Sequence, residues 1–268
     1  VIANGGNTNV ICRRLQYEAA IPLFRKTEGS QALEPVSIKE EYTDCYKFLK
    51  RTFPDMLVSI QNDQAASLPE LVGCADIIEV APPSSYAKKL LRNFESDLAE
   101  ARATVGDKPL ILWIGVSIPT SAARSAENLR AASWLTVLGG ANGIIYHLGH
   151  DGVPEDRTRL WSVFKHLGRE MEVLYPIVAT GEMVAAGLVS CDSSFIILSA
   201  RKFQGDIYVM AVSKAAGATK ARIKTGKPGL ADSAEVIFEG RSVKIENGEF
   251  EDSFTSFEPH LYRMRTMD

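Results

Sequence analysis

Between residues 36 and 177 the chain alternates short, nearly continuous apolar runs with longer segments whose apolar residues recur at helical spacing. A run that is apolar on both faces suits a strand covered on both sides, and regular alternation with helices is the pattern of βα units around a parallel sheet. The runs 56–60, 77–80, 110–116 and 143–147 are the expected strands. Between them "VSIKEEYTDCYKFLKRTF" sets Ile38, Tyr42, Cys45, Tyr46 and Leu49 on one helical face. "SSYAKKLLRNFESDLAEARA" and "SAENLRAASWLTVLGG" read the same way, the second stopped by its glycine pair, and "EDRTRLWSVFKHLGREMEVL" closes this half.

From residue 180 onward the period changes to two. "FIILSARKF", "DIYVMAVSK", "TKARIKTG", "AEVIFEG", "SVKIENGEFEDSF" and "HLYRMR" follow one another between turn residues, the pattern of a small antiparallel β-sandwich. "ENGEF" is the strongest local signal, a hairpin with Asn247 and Gly248 in its turn. The expected boundary lies around residues 176–182, giving an α/β domain over 1–178 and an all-β domain over 179–268. The first 35 residues are harder to read. "VIANGGNTNV" suits a strand end feeding a loop, "CRRLQYEAAIPLFRK" a helix, and "SQALEP" a short strand reaching a loop, for five or six parallel strands at most.

Composition narrows the partners. A chain of 268 residues, 46% apolar and 24% charged, can bury one large core or two smaller ones. A net charge of -3 with acidic and basic residues interspersed offers no basic stripe for nucleic acid and no polybasic run for a membrane surface, so neither is an expected partner. Glycines and Asn142 interrupt the longest apolar stretch before it reaches a membrane-spanning length. Cys12, Cys45, Cys74 and Cys191 stand singly, without the paired spacing of a zinc site or a redox dithiol. No phosphate-binding loop, nucleophile elbow or dinucleotide fingerprint is present, and no cofactor is expected. The chain opens on Val1 with no leader pattern behind it, and its compartment stays open.

"CADIIEVAPPSSY", "KPLILWIGVS" and "SAENLRAASWLTVLGGANGIIYHLG", in that order, resemble the sixth, seventh and eighth βα units of glycoside-hydrolase-like (β/α)8 barrels. The β-galactosidase-like and related uncharacterised barrel hydrolases are the families the pattern is similar to. "AEVIFEGRSVKIENGEFEDSFTSFEPHLYRM" looks like the β-sandwich that follows such barrels. A complete barrel needs eight strands in about 250 residues. The resemblance therefore implies a partial TIM barrel, lacking its first strands, with a C-terminal antiparallel sandwich. A longer polypeptide or another chain would complete the sheet. It also implies a carbohydrate substrate and hydrolysis of glycosidic bonds, with a non-catalytic saccharide-binding or structural relative as the alternative.

Sites in these barrels gather at the C-terminal ends of the strands, and glycoside hydrolysis ordinarily takes two carboxyl groups. The resemblance makes Glu34 the candidate proton donor, because "ALEPVSIKEEY" matches the stretch that ends the fourth barrel strand; an exposed loop glutamate is the competing reading. Glu79, inside the apolar run "DIIEVAPP", and Asp63, in "SIQNDQ", are the candidate second carboxylates, against a structural ion pair and a loop cap respectively. Asn4, Asn62, Trp113, His147 and His150 are the candidate sugar-binding residues, with Trp113 offering its ring as a stacking face or serving as plain core. "HLGHDG" after the last apolar run brings two histidines and an aspartate together, but without a further ligand cluster no metal is expected. One departure is plain: "LILWIGVSIPTS" has no acidic residue where retaining barrels carry a nucleophilic glutamate.

Overall fold

The computed structural model describes residues 13–16, 23–26, 33–36, 38–62, 68–81, 94–116, 126–148, 154–185, 187–226 and 232–266. In chain order the elements are β1 Arg13–Gln16, β2 Leu23–Lys26, β3 Leu33–Val36, α1 Ile38–Thr52, β4 Val58–Asn62, α2 Leu68–Leu71 with a 3-10 turn Val72–Cys74, and β5 Ile77–Val80. There follow α3 Phe94–Val105, β6 Leu110–Val116, α4 Ala126–Leu138, β7 Gly143–Leu148 and α5 Pro154–Thr180. The remaining strands are β8 Glu182–Met183, β9 Ser190–Cys191, β10 Ile196–Phe203, β11 Asp206–Ser213, β12 Thr219–Lys224, β13 Ser233–Ile237, β14 Arg241–Lys244, β15 Glu249–Phe254 and β16 Pro259–Met264. The protein is mixed α/β and divides into two compact units: β1–β7 with α1–α3, and α4, α5 with β8–β16.

In the first unit a five-stranded sheet has the order β1-β4-β5-β6-β7, with parallel pairing from β1 through β6. Asn142, one residue before β7, exchanges hydrogen bonds with Leu110 at the start of β6, which sets the beginnings of these two strands side by side. The helices between strands form for the expected reasons. α1 has Glu40 and Glu41 in its first turn and Lys50 and Arg51 in its last, each favourable to the helix dipole. α3 buries Phe94, Leu98, Ala101 and Val105 along one stripe and ends at Gly106, whose φ of +64° suits a glycine helix stop.

The front of the chain departs from expectation. The described parts of "CRRLQYEAAIPLFRK" are strands where a helix was expected: they are β1 and β2, with β1 paired residue for residue to β4, Arg13 opposite Val58 through Gln16 opposite Gln61. Pro22 inside that segment opposes a continuous helix, and the pairing with β4 outweighs the helical spacing of its apolar residues. The "SQALEP" segment does hold a strand, β3, but β3 pairs antiparallel with β2 in a separate two-stranded sheet.

The N-terminal ends of the parallel strands are tied together by side chains. Asp76, just before β5, accepts hydrogen bonds from the Val58 amide at 2.9 Å, the Tyr46 hydroxyl at 2.8 Å and Lys50 Nζ at 3.3 Å, joining β4 and α1. Burial alone would raise its pKa, but these donors, led by the Val58 amide, hold it below the usual carboxylate value. Tyr46 is pushed up to about 12 by burial and by the carboxylate it donates to. Lys108 Nζ donates to the carbonyls of Val72 and Ala75 at 2.6 and 2.7 Å, and Arg102 to those of Lys108 and Gly140.

In the second unit Arg130 and Trp134 of α4 close on Glu170 of α5, a side chain with no exposure at all. α5 runs unbroken through Pro176, within the region where the sequence suggested a boundary, and the proline sits on the helix's exposed side. The strands form a six-stranded antiparallel sheet, β14-β13-β16-β11-β10-β8, and a three-stranded one, β15-β12-β9. Both contribute to one core, in which Val209, Val236 and Tyr262 of the larger sheet meet Ala221, Ile223, Phe250 and Phe254 of the smaller. The rings of Phe250 and Tyr262 lie 4.8 Å apart across the two sheets, and Tyr262 donates to Asp252 at 2.8 Å while Arg241 grips the same carboxylate with two nitrogens. The β14–β15 turn is as expected: Asn247 and Gly248 both have positive φ, 52° and 76°, the geometry of a type I′ hairpin.

Candidate functional site

The parallel sheet has two unlike faces. Register and alternation put Val58, Ile60, Ile78, Val80, Leu110, Leu112 and Ile114 on one, each at most 3% exposed. The other carries Ser59 and Gln61 of β4, Glu79 of β5, and Ile111 and Trp113 of β6. Ser59, Gln61 and Glu79 are nonetheless 5% exposed or less. A polar row that deep is costly unless its members are engaged, and each of them has an interaction within the structure.

Glu79 is the centre of this face. Gln61 on β4 and Ile111 on β6 are its register neighbours, and Trp113, two residues further along β6, reaches back so that its Nε1–H donates to Glu79 Oε2 at 2.9 Å. An indole nitrogen is only a donor, so Oε2 is the acceptor of this bond. The Trp113 ring in turn lies against the imidazole of His147 near the end of β7, with centroids 5.9 Å apart and a tilt of 52°. The three side chains form a line from the interior outward: Glu79 buried, Trp113 8% exposed, His147 exposed. They stand at the end of the sheet opposite the Asp76, Lys108 and Arg102 ties, which is the end where parallel α/β sheets place their sites.

The candidates from sequence fall out as follows. Glu79, Trp113 and His147 are brought together. Asn62 ends β4 and is 1% exposed, but its register partner is Val80, so it belongs to the apolar face and its neighbour Gln61 to the polar one. The fold corrects the setting of Glu34: it lies in β3 opposite Arg25 of an antiparallel hairpin, not at the end of a strand of the parallel sheet. Asn4, Asp63 and His150 lie outside the described residues. β4 runs two residues further than its apolar run suggests, which carries Gln61 and Asn62 into the strand and not into the loop after it. Among the described residues no group of three or more His, Cys, Asp or Glu is placed to hold a metal ion, and no helix is long and apolar enough to cross a membrane.

No family model and no curated protein sequence matches the chain. Solved structures do. It is similar to an α-amylase from Anoxybacillus (TM-score 0.56, 9% identity, 86% of this chain and 57% of that one). It is also similar to the α-amylase of Geobacillus thermoleovorans complexed with acarbose (TM-score 0.59, 10% identity, 86% and 58%). A third is a maltogenic α-amylase from Thermotoga neapolitana (TM-score 0.56, 11% identity, 94% and 60%). At these identities the likeness is one of fold: the chain has a glycoside-hydrolase-like fold and spans about three fifths of the length of these structures.

Proposed function

We propose that the protein is a glycosidase, acting on an oligo- or polysaccharide through carboxyl acid/base chemistry, with Glu79 as a working carboxyl group. The observation that carries this is a buried carboxyl with one oxygen fixed by Trp113, on the polar face of a parallel sheet and beside an exposed histidine. Glycosidic cleavage needs a carboxyl that protonates the leaving oxygen and another that attacks or activates water. The partner carboxyl comes from Asp63 or Glu34. Sheet order favours Asp63, which directly follows β4 in the chain, over Glu34 in its separate hairpin. His147 and His150, with Asn4, complete the proposed set of sugar-binding residues; Asn62, on the apolar face, is not among them.

In the same reading the five strands belong to a (β/α)8 barrel, and the two sheets of the second unit form the antiparallel β-sandwich that follows it. Eight strands close such a barrel, and β1 and β7 end the described sheet, so further strands from elsewhere in the polypeptide or from another chain would complete it. The solved relatives include α-amylases, one of them bound to acarbose, which puts α-linked glucans ahead of β-galactosides as the first substrates to try. A second reading is a saccharide-binding relative without turnover; the absence of an acidic residue in "LILWIGVSIPTS" favours it.

A panel of α- and β-linked nitrophenyl glycosides and malto-oligosaccharides, assayed for release and by calorimetry, tests both. Turnover of one substrate class is expected. Binding without turnover supports the second reading, and neither binding nor turnover removes both.

A further inference from the structure

We propose that Trp113 is a positioning residue for Glu79, not a stacking platform for sugar. The proposal rests on the reading of Glu79 as the working carboxyl and adds to it the group that aims it. A platform must offer an open face, but Trp113 is 8% exposed and already has the His147 imidazole against its ring. Its polar edge is committed as well, through the 2.9 Å bond to Glu79 Oε2.

That bond does what the glutamate cannot do alone. The last torsion of a glutamate side chain is broad and nearly two-fold, so a carboxyl with no directed donor samples many orientations. A donor fixed on a neighbouring strand selects one. Trp113 is such a donor: its flanking residues Leu112 and Ile114 point to the opposite face and are fully buried, which pins the strand from behind. Glu79 is held likewise between Ile78 and Val80, at 0% and 3% exposure. Groups mounted on paired strands hold their spacing better than groups on loops. Oε2 is therefore fixed by the indole, and with it the orientation of the whole carboxyl group.

Trp113→Phe separates the two roles, because it keeps a ring beside His147 and removes only the N–H. On a glycoside that the wild type cleaves, kcat is expected to fall about 10- to 100-fold, with KM changed by no more than about twofold, as befits lost aim rather than lost binding. Wild-type kcat in this variant, or a raised KM at unchanged kcat, overturns the proposal. A second readout does not depend on turnover. The indole N–H resonance of Trp113, assigned by its absence in Trp113→Phe, is expected to move in Glu79→Gln; a resonance that stays in place overturns the proposal even if the enzyme is active. A protein in which the resonance moves but no glycoside is bound or cleaved keeps Trp113's hold on Glu79 and removes the glycosidase reading.

Discussion

Asp76 and Glu79 lie three residues apart and divide the labour of their strand. Asp76 satisfies a backbone amide, a tyrosine and a lysine at the N-terminal end, all structural bonds; Glu79 faces the polar side near the other end with one oxygen taken. The pKa of Asp76 is lower folded than unfolded, so its ionised form adds stability that is fully present above the ordinary value of 3.8 and is lost as pH falls through the depressed one. Asp76→Asn is expected to cost roughly 1–3 kcal/mol near neutral pH, and the gap from wild type to close below pH 3.8. Urea denaturation of both proteins over that range measures it; a gap indifferent to pH would show that the charge plays no part. At this scale the sequence showed Glu79 as an unusual carboxylate in an apolar run, but not its partner. Whether Trp113 meets sugar, core or a carboxyl depends on which strand lies beside it and in what register, and neither is written in "LILWIGVS".

Among the elements, strands covered on both faces were the most legible: β5 and β6 occupy the residues their apolar runs predict, because burial on two sides leaves few polar positions. β1 was not legible. "RRLQ" carries one apolar residue in four, and only its pairing with β4 makes it a strand. Read as a strand, it would have drawn attention to Gln16, which faces Gln61 in the register, and to Tyr17 and Glu18 after it in the chain. The Glu170 clamp was equally invisible, since a glutamate in an amphipathic helix reads as solvent-facing until the residues that hold it are known. Glu170 accepts from Arg130 Nε at 2.8 Å and Trp134 Nε1 at 2.8 Å, with His166 at 3.2 Å one turn away. Glu170→Ala would strand a largely buried guanidinium and an indole N–H. It is expected to destabilise by roughly 3 kcal/mol, the low end for a broken buried pair because Arg130 keeps some exposure. Denaturation followed by tryptophan fluorescence checks this, and a loss under about 1 kcal/mol would mean that water replaces the lost acceptor.

Across the whole molecule, the period changes near residue 180, and after α5 the described elements are all strands. The grouping of α4 and α5 with the later strands could not be foreseen, because amphipathic helices advertise an apolar face without naming the surface that covers it. The account turns on the polar face of the parallel sheet being a place of chemistry and not merely a satisfied interior. Glu79→Gln tests this most directly, since the amide can still accept from Trp113 through its oxygen but cannot serve as an acid or base. The account predicts that glycoside cleavage falls by at least about 100-fold while the melting temperature stays within a few degrees of wild type. Cleavage at the wild-type rate in this variant would contradict it.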